Sequence, residues 1–126
     1  IPLGSSFFVY PTVKIFPNGN IIKSWPQEAF HHCPLDENTA LIALTHDPKI
    51  DDPAIQEGLK QKCFYIGALG SKKTHENRCK RLAENGFNES QIQKIFGPIG
   101  IKFGGRSAPE IALSIIFQLM TEIYKQ

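Results

Sequence analysis

Short apolar runs recur along the chain, and most are followed by a polar loop that contains glycine or proline. Thr39–Leu44 (TALIAL) and Cys63–Ile66 are continuous apolar runs, typical of strands buried on both faces of a parallel sheet. Ser6–Tyr10 (SFFVY) predicts an earlier strand that ends at Pro11, and Ile101–Phe103 is a weaker strand candidate. The pattern therefore predicts several short strands, two of them central.

Helix signals lie between these runs, as capping residues, prolines in first turns and a terminating glycine. The predicted helices are Pro26–His31, a segment from Asp51 or Asp52 to Gln61 with Pro53 near its first turn, a segment from Ser71 or Thr74 to Asn85, Glu89–Phe96 with a capping box at Asn88 and Gln91, and a last helix capped by Ser107. The last helix has a wide apolar face, expected to pack on the core, formed by Ile111, Leu113, Ile115, Ile116, Leu119, Met120 and Ile123.

Strands that alternate with helices favour a mainly parallel sheet covered by helices on both faces. The 126 residues show no repeat, low-complexity stretch or linker. Hence we expect a single α/β domain over residues 1–126.

Composition excludes few function classes but fixes the expected compartment. The net charge of +2 is too small, and too scattered, to indicate a nucleic-acid partner. Cys33, Cys63 and Cys79 are widely spaced, which favours reduced thiols in a cytoplasm, and neither Cys63 nor Cys79 has an obvious base beside it in sequence. No apolar run approaches the ~20 residues that cross a membrane. A cytoplasmic protein without membrane or nucleic-acid partners is therefore expected.

Three polar segments are the candidate binding loops, and the first two come directly after predicted strands. We call THDPKIDDP (45–53) the first loop, GALGSKKTH (67–75) the second loop and GPIGIKFGGRSAPE (97–110) the third loop. Ligands of open parallel sheets bind where the carboxyl ends of the strands meet helix N-termini. These three loops are therefore the segments in which a ligand site is expected, and the sequence does not say whether they meet.

The second loop has the chemistry of an anion cradle. Gly67 and Gly70 allow close approach of the main chain, and the helix start offers free N–H groups and a favourable dipole. Ser71 can donate a further hydrogen bond, and Lys72 or Lys73 can neutralise a phosphate. The alternative is a tight turn with solvated lysines, and the spacing does not match a P-loop.

Histidines and an aspartate provide a second set of candidates. If the first and second loops are adjacent, His46, Asp47 and His75 could converge as metal ligands, proton-transfer groups or contacts to a heterocycle. Alternatively, Asp47 caps a turn and each histidine satisfies local main-chain groups. The spacing lacks a tetrahedral pattern, so metal binding is disfavoured; the HHC at 31–33 is better explained as a helix terminus.

Taken together, ALTHDPKIDDPAI, FYIGALGSKKTH and GPIGIKFGGRSAPEIALSI resemble the C-terminal Rossmann domain of the XdhC/CoxI family, the accessory proteins of molybdenum hydroxylases such as xanthine dehydrogenase. The resemblance extends from about Trp25 to Ile123, and three motifs in the same order make it specific. It implies a Rossmann-like three-layer fold, truncated at its N-terminus, and an accessory protein rather than an enzyme. It also implies binding of molybdenum cofactor (molybdopterin) and its insertion into a xanthine dehydrogenase-like client.

The resemblance and the loop chemistry together give one set of candidate cofactor-binding residues, and no catalytic or metal-ligating residue is proposed. The set is His46, Asp47, Gly67, Ala68, Gly70, Ser71, Lys72, His75, Gly97, Pro98 and Gly100.

The chain departs from the family pattern at its start. It lacks the first strand with its glycine loop, and Tyr10 stands where an acidic residue would face a ribose. NAD(P) is therefore a less favoured cofactor. An NAD(P)-binding oxidoreductase domain and a truncated remnant without activity remain the alternatives. The missing central strand further predicts a rearranged sheet or one completed in a homodimer.

Overall fold

A computed structural model describes residues 24–125 of the chain, so the predicted strand Ser6–Tyr10 lies outside the described residues. Three parallel strands form a sheet in the order β1-β2-β3: β1 is Ala40–Ala43, β2 is Tyr65–Ala68 and β3 is Ile95–Phe96. This arrangement confirms the predicted α/β class with a parallel sheet.

Five helices connect and cover these strands within the described part of the chain. They are α1 (Pro26–His32), α2 (Pro48–Lys60), α3 (Lys72–Glu84), α4 (Glu89–Ile92) and α5 (Ala108–Tyr124). Pro26 occupies the first turn of α1, and Ser107 and Glu110 form a reciprocal capping box at the start of α5. The predicted starts of these two helices are confirmed.

Alternate residues of the strands face two apolar layers, as the twofold period of a strand requires. On one face Leu41 and Ile66 pack in a buried cluster with Ile55 of α2 and Leu82 of α3. On the other face β-strand residues join residues of α5 and the third loop; this cluster comprises Ala40, Tyr65, Ile99, Ile115 and Leu119. The sheet thus lies between α2 and α3 on one side and α5 on the other.

Strand β2 begins two residues later than the apolar pattern predicts. Cys63 donates its main-chain N–H to the carbonyl of Gly58, which makes it part of the turn that ends α2. Gly67 and Ala68 instead pair with β1, and Gly67 also pairs with β3. Both residues therefore belong to the strand, and the irregular part of the second loop starts at Leu69.

Helix α2 begins earlier than predicted. Asp47, not Asp51 or Asp52, is its N-cap, because its carboxylate accepts a hydrogen bond of 3.0 Å from the N–H of Lys49. Pro48 fills the first turn and Pro53 lies inside the helix. The first loop is consequently only a few residues long.

The segment predicted as a helix over Glu89–Phe96 divides into two elements. The capping box of Asn88 and Gln91 is confirmed, but α4 ends at Ile92 and the chain enters β3, where Ile95 pairs with Ile66. The burial of Ile95 in the sheet stabilises the fold more than another turn of a short helix would. The weaker strand candidate at Ile101–Phe103 is wrong, since these residues are exposed and irregular.

Only part of the apolar face of α5 packs on the core. Ile115 and Leu119 are buried, and Ile111 and Ile123 are partly buried against the same cluster. The prediction that the whole face is covered is wrong. The exposed apolar side chains of α5 are Leu113, Ile116, Phe117, Met120 and Tyr124.

The outer edge of β1 has no strand partner within residues 24–125. A rearranged or dimer-completed sheet therefore stays a prediction. Within the same residues, no helix is long and apolar enough to span a membrane.

Candidate functional site

The three loops lie at the carboxyl edge of the sheet, where main-chain hydrogen bonds hold the second loop to the end of β1 and to the third loop. Leu69 donates its N–H to the carbonyl of Ala43 at 2.8 Å, linking the second loop to the end of β1. Ile99 donates its N–H to the carbonyl of Ala68 at 3.0 Å, linking the third loop to the end of β2. The second loop is thus held from both sides.

The start of α3 presents free main-chain N–H groups next to Gly70. The hydroxyl of Ser71 caps the helix by accepting a hydrogen bond of 3.1 Å from the N–H of Thr74. Gly70 has a φ of 144°, which side-chain-bearing residues rarely adopt. Lys72 and Lys73 are exposed in the first turn, which contains no acidic residue. The positive end of the helix dipole and two cations therefore face the same solvent region.

His75 joins the second loop to the third. Its imidazole lies directly against Gly97, at the position that a β-carbon on Gly97 would occupy. The bond between Gly97 and Pro98 is cis, and Pro98 is exposed. These two loops therefore meet through a contact that requires glycine at position 97.

The environment of His75 favours its neutral form. Burial, and then the nearby Arg78 guanidinium, lower the pKa of His75 below its ordinary value of 6.5. Nη1 of Arg78 lies 3.5 Å from Nδ1, and Sγ of Cys79 lies 3.4 Å from Nε2. Because arginine can only donate, Nδ1 is the acceptor and Nε2 carries the proton. His75 in this tautomer is not a base for Cys79.

The lowered pKa of His75 predicts a pH dependence of stability. The unfolded chain takes up this proton near pH 6.5, before the folded chain does, so the free energy of unfolding should decrease as pH falls through that value. His75→Asn should remove this part of the slope. Urea denaturation from pH 8 to pH 5 measures the difference; identical slopes for both proteins would contradict the prediction.

His46 and Asp47 are placed by local contacts rather than by convergence with His75. Asp47 acts as the cap of α2, and His46 adopts a φ of 66°. The N–H of His46 donates to buried Asp51 at 3.1 Å, and the hydroxyl of Thr45 donates to the same carboxylate at 2.7 Å. The side chains of His46 and Asp47 are exposed, and no hydrogen bond within residues 24–125 joins them to the second loop.

Asp51 is therefore expected to maintain the first loop. Asp51→Ala should lower the free energy of unfolding by about 1–3 kcal/mol, because it leaves the N–H of His46 and the hydroxyl of Thr45 without their acceptor. Asp52→Ala is the control, since it removes only a partly exposed ion pair with Arg81 and should cost less than about 1 kcal/mol. Equal losses in urea denaturation would contradict this role.

Gly100 and Gly67 have structural reasons to be glycine. Gly100 has a φ of 90° and its N–H donates to Oε1 of Gln118 at 3.0 Å. The same oxygen accepts from the hydroxyl of buried Tyr65 at 2.6 Å. A β-carbon on Gly67 would meet Ile99 and the Tyr65 hydroxyl. These two glycines position the third loop against the sheet and α5.

The sequence reasoning missed Arg78, which lies among the candidate residues although it is only 2% exposed. Its position three residues after His75 on α3 was the available signal, since such residues share a helix face. Sequence reasoning also missed the contact of Cys79 with His75. Burial raises the pKa of both Cys79 and Cys63, the latter to about 11, so neither thiol is activated.

Within residues 24–125 no three histidine, cysteine or acidic side chains cluster as a metal site.

Comparison with known proteins decides the family. Residues 11–119 match the family described as the XdhC Rossmann domain. The chain belongs to this family. The resemblance drawn from the three loop motifs is thereby confirmed, and so is the Rossmann fold class.

Two relatives of this XdhC Rossmann domain have names that refer to molybdenum cofactor insertion and to xanthine dehydrogenase. The chain is 38% identical over 85 residues to the molybdenum cofactor insertion chaperone PaoD of Escherichia coli (strain K12), covering 68% of this chain and 27% of that protein. It is 29% identical over 112 residues to a probable xanthine dehydrogenase subunit of Bacillus subtilis (strain 168), covering 88% of this chain and 32% of the relative.

A solved structure has the same fold. The crystal structure of a xanthine dehydrogenase from Bacillus halodurans matches with a TM-score of 0.70 and 26% identity, over 87% of this chain and 31% of that one. The chain thus spans about a third of the length of these relatives.

Proposed function

We propose that this XdhC Rossmann domain is an accessory module that binds molybdenum cofactor and assists its insertion into a molybdenum hydroxylase of the xanthine dehydrogenase type. Family membership supports this role, as does the relative named a molybdenum cofactor insertion chaperone. The observation that carries the proposal is the contact between the second and third loops, where His75 packs on Gly97 beside the N-terminus of α3.

The residues at this edge suit the anionic end of the cofactor, which carries a phosphate on its pterin. The first turn of α3 follows Gly70 and offers free N–H groups, and Lys72 and Lys73 add positive charge in this turn, which contains no acidic residue. Gly70 lets the phosphate approach the main chain closely, as in other phosphate-binding turns. The bound cofactor itself supplies the redox chemistry of the client enzyme, and this chain binds and orients it.

The remaining candidates have different roles in this proposal. His46 and Asp47 are exposed next to the end of β1, where their polar groups suit the edge of a pterin. Ala68 and Gly97 offer main chain at the junction of the loops, and Ser71 fixes the helix start.

Retention of ligand tests the proposal. The purified chain is mixed with molybdenum cofactor or, separately, with NADH, and the fraction retained by ultrafiltration is measured. We expect retention of the cofactor, weakened about tenfold in affinity when Lys72 and Lys73 are both changed to alanine, since each removed cation weakens phosphate binding. Lys60→Ala is the control, because Lys60 is exposed at the far end of α2.

The other outcomes separate the competing functions. Retention of NADH alone would replace the proposal by a dinucleotide-binding domain with an unusual phosphate site. Retention of neither would leave a family remnant without its ligand. For a chain that does retain the cofactor, recovery of activity by a cofactor-free molybdenum hydroxylase, with a trap for free cofactor present, tests the insertion step.

A further inference from the structure

Arg78 is a buried cation with weak partners. It is 2% exposed, yet its Nη2 reaches the carbonyl of Leu69 only at 3.4 Å and its Nη1 reaches Nδ1 of His75 only at 3.5 Å. Its Nε is buried and has no hydrogen-bond partner. Most buried polar groups have good partners, so this guanidinium has donor capacity to spare.

No aspartate or glutamate compensates the charge of Arg78. All 12 aspartates and glutamates lie within residues 24–125, and none of them forms an ion pair with it. Arg81, one helical turn further along α3, differs in this respect: its Nε and Nη2 contact Asp52 at 2.6 and 3.2 Å. A buried charge is costly unless it is paired, so the isolated Arg78 requires an explanation.

The position of Arg78 indicates what its partner is. Its guanidinium lies between the main chain of the second loop at Leu69 and the imidazole of His75, which itself packs on Gly97 of the third loop. It is therefore at the junction of the two loops, beside the N-terminal turn of α3. An arginine fork is suited to bind two oxygens of one phosphate.

We infer that Arg78 is an anion-binding residue, which takes the phosphate or a similar oxyanion of the bound ligand, and that His75 covers it when no ligand is present. The inference deepens the proposed function and rests on it only for the identity of the ligand. The incoming oxyanion replaces Nδ1 of His75 on the guanidinium, and the long contacts of the free state are exchanged for charge-assisted bonds.

The alternative is that Arg78 has only a structural role, which is to fix the second loop by its hydrogen bond to the carbonyl of Leu69. The two explanations differ in their effect on the ligand-free protein. A structural tie predicts a lower melting temperature for Arg78→Gln. A binding residue predicts a melting temperature that is unchanged or higher, because the variant removes an uncompensated buried charge.

Inorganic phosphate is the first probe, with binding measured by isothermal titration and by thermal denaturation against sodium chloride of equal ionic strength. We expect phosphate to raise the melting temperature of the wild-type chain, and we expect Arg78→Gln to weaken phosphate binding about 10- to 100-fold. Arg78→Lys should bind with intermediate affinity, and it serves as the test if Arg78→Gln does not fold. Arg81→Gln is the matched control and should bind phosphate as the wild type does.

Wild-type affinity in Arg78→Gln, or in Arg78→Lys if only that variant folds, would overturn the inference, as would absence of phosphate binding to the wild-type chain. Molybdenum cofactor is the second probe. If the cofactor is not retained but phosphate binds through Arg78, the proposed function fails and the anion site stands. If wild type and Arg78→Gln retain the cofactor equally, the anion site fails and the proposed function stands.

Discussion

Replacement of Gly70 by alanine is expected to reduce retention of molybdenum cofactor at least tenfold and to lower the free energy of unfolding by about 1–3 kcal/mol. The φ of 144° at this position strains any residue that carries a β-carbon. The added carbon would also meet Thr74, whose N–H binds the Ser71 cap. The start of α3 would then shift away from the position at which its N–H groups face the ligand. Ultrafiltration with the cofactor and urea denaturation measure the two effects.

Gly86→Ala is the matched control for Gly70. Gly86 follows α3 at its opposite end, has a φ of 93°, and has open space where a β-carbon would go. The variant should therefore lose about 1–2 kcal/mol of stability through backbone strain alone and retain the cofactor as the wild type does. Equal retention by Gly70→Ala and the wild type would contradict the assignment of the second loop as the binding site.

Replacement of Gln118 by leucine is expected to have the largest effect on stability, about 2–4 kcal/mol. One oxygen of Gln118 accepts from both the Tyr65 hydroxyl and the N–H of Gly100, and leucine would leave both donors without their acceptor. Tyr65 is 1% exposed, and burial, followed by the charge of Glu122, raises its pKa, so its hydroxyl remains a donor. The free energy of unfolding in urea measures the loss.

A double-mutant cycle separates the two bonds of Gln118. Tyr65→Phe alone should cost about 1 kcal/mol, because the bond from Gly100 is kept. In the Tyr65→Phe background, Gln118→Leu should then cost less than it does in the wild type. Strict additivity of the two losses would mean that Tyr65 and Gln118 are not coupled through this bond.

Local patterns predicted the parts of the fold that depend on local physics. The apolar run of β1 and the Ser107 cap of α5 are where the sequence places them, and α3 starts at Ser71, one of its two predicted starts. Each depends on burial of a continuous apolar stretch or on a cap that one side chain supplies.

The errors arose where tertiary contacts overrule local preference. Helix α4 ends early, at Ile92, because Ile95 pairs with Ile66 in the sheet. Asp51 looks like a cap in sequence, but its carboxylate turns back to Thr45 and His46 and leaves the cap to Asp47. Such outcomes depend on neighbours that sequence spacing does not specify.

Arg78 shows the limit of the sequence for the candidate site. In the sequence it is one of several basic residues on a polar helix, and Arg81 looks no different. Only the fold distinguishes the two, because it gives Arg81 a carboxylate partner and buries Arg78 without one. Burial and pairing are properties of the packed structure, and they carry the functional inference here.

A titration of the isotopically labelled chain with molybdenum cofactor, followed by amide chemical shifts, tests the central claim most directly. We expect the largest changes in amide chemical shift over 67–75 and 97–100, smaller changes at His46 and Asp47, and little change on the exposed face of α5. Shifts concentrated on Phe117, Met120 and Tyr124 would contradict it. So would the absence of shifts at a cofactor concentration that saturates a control protein known to bind the cofactor.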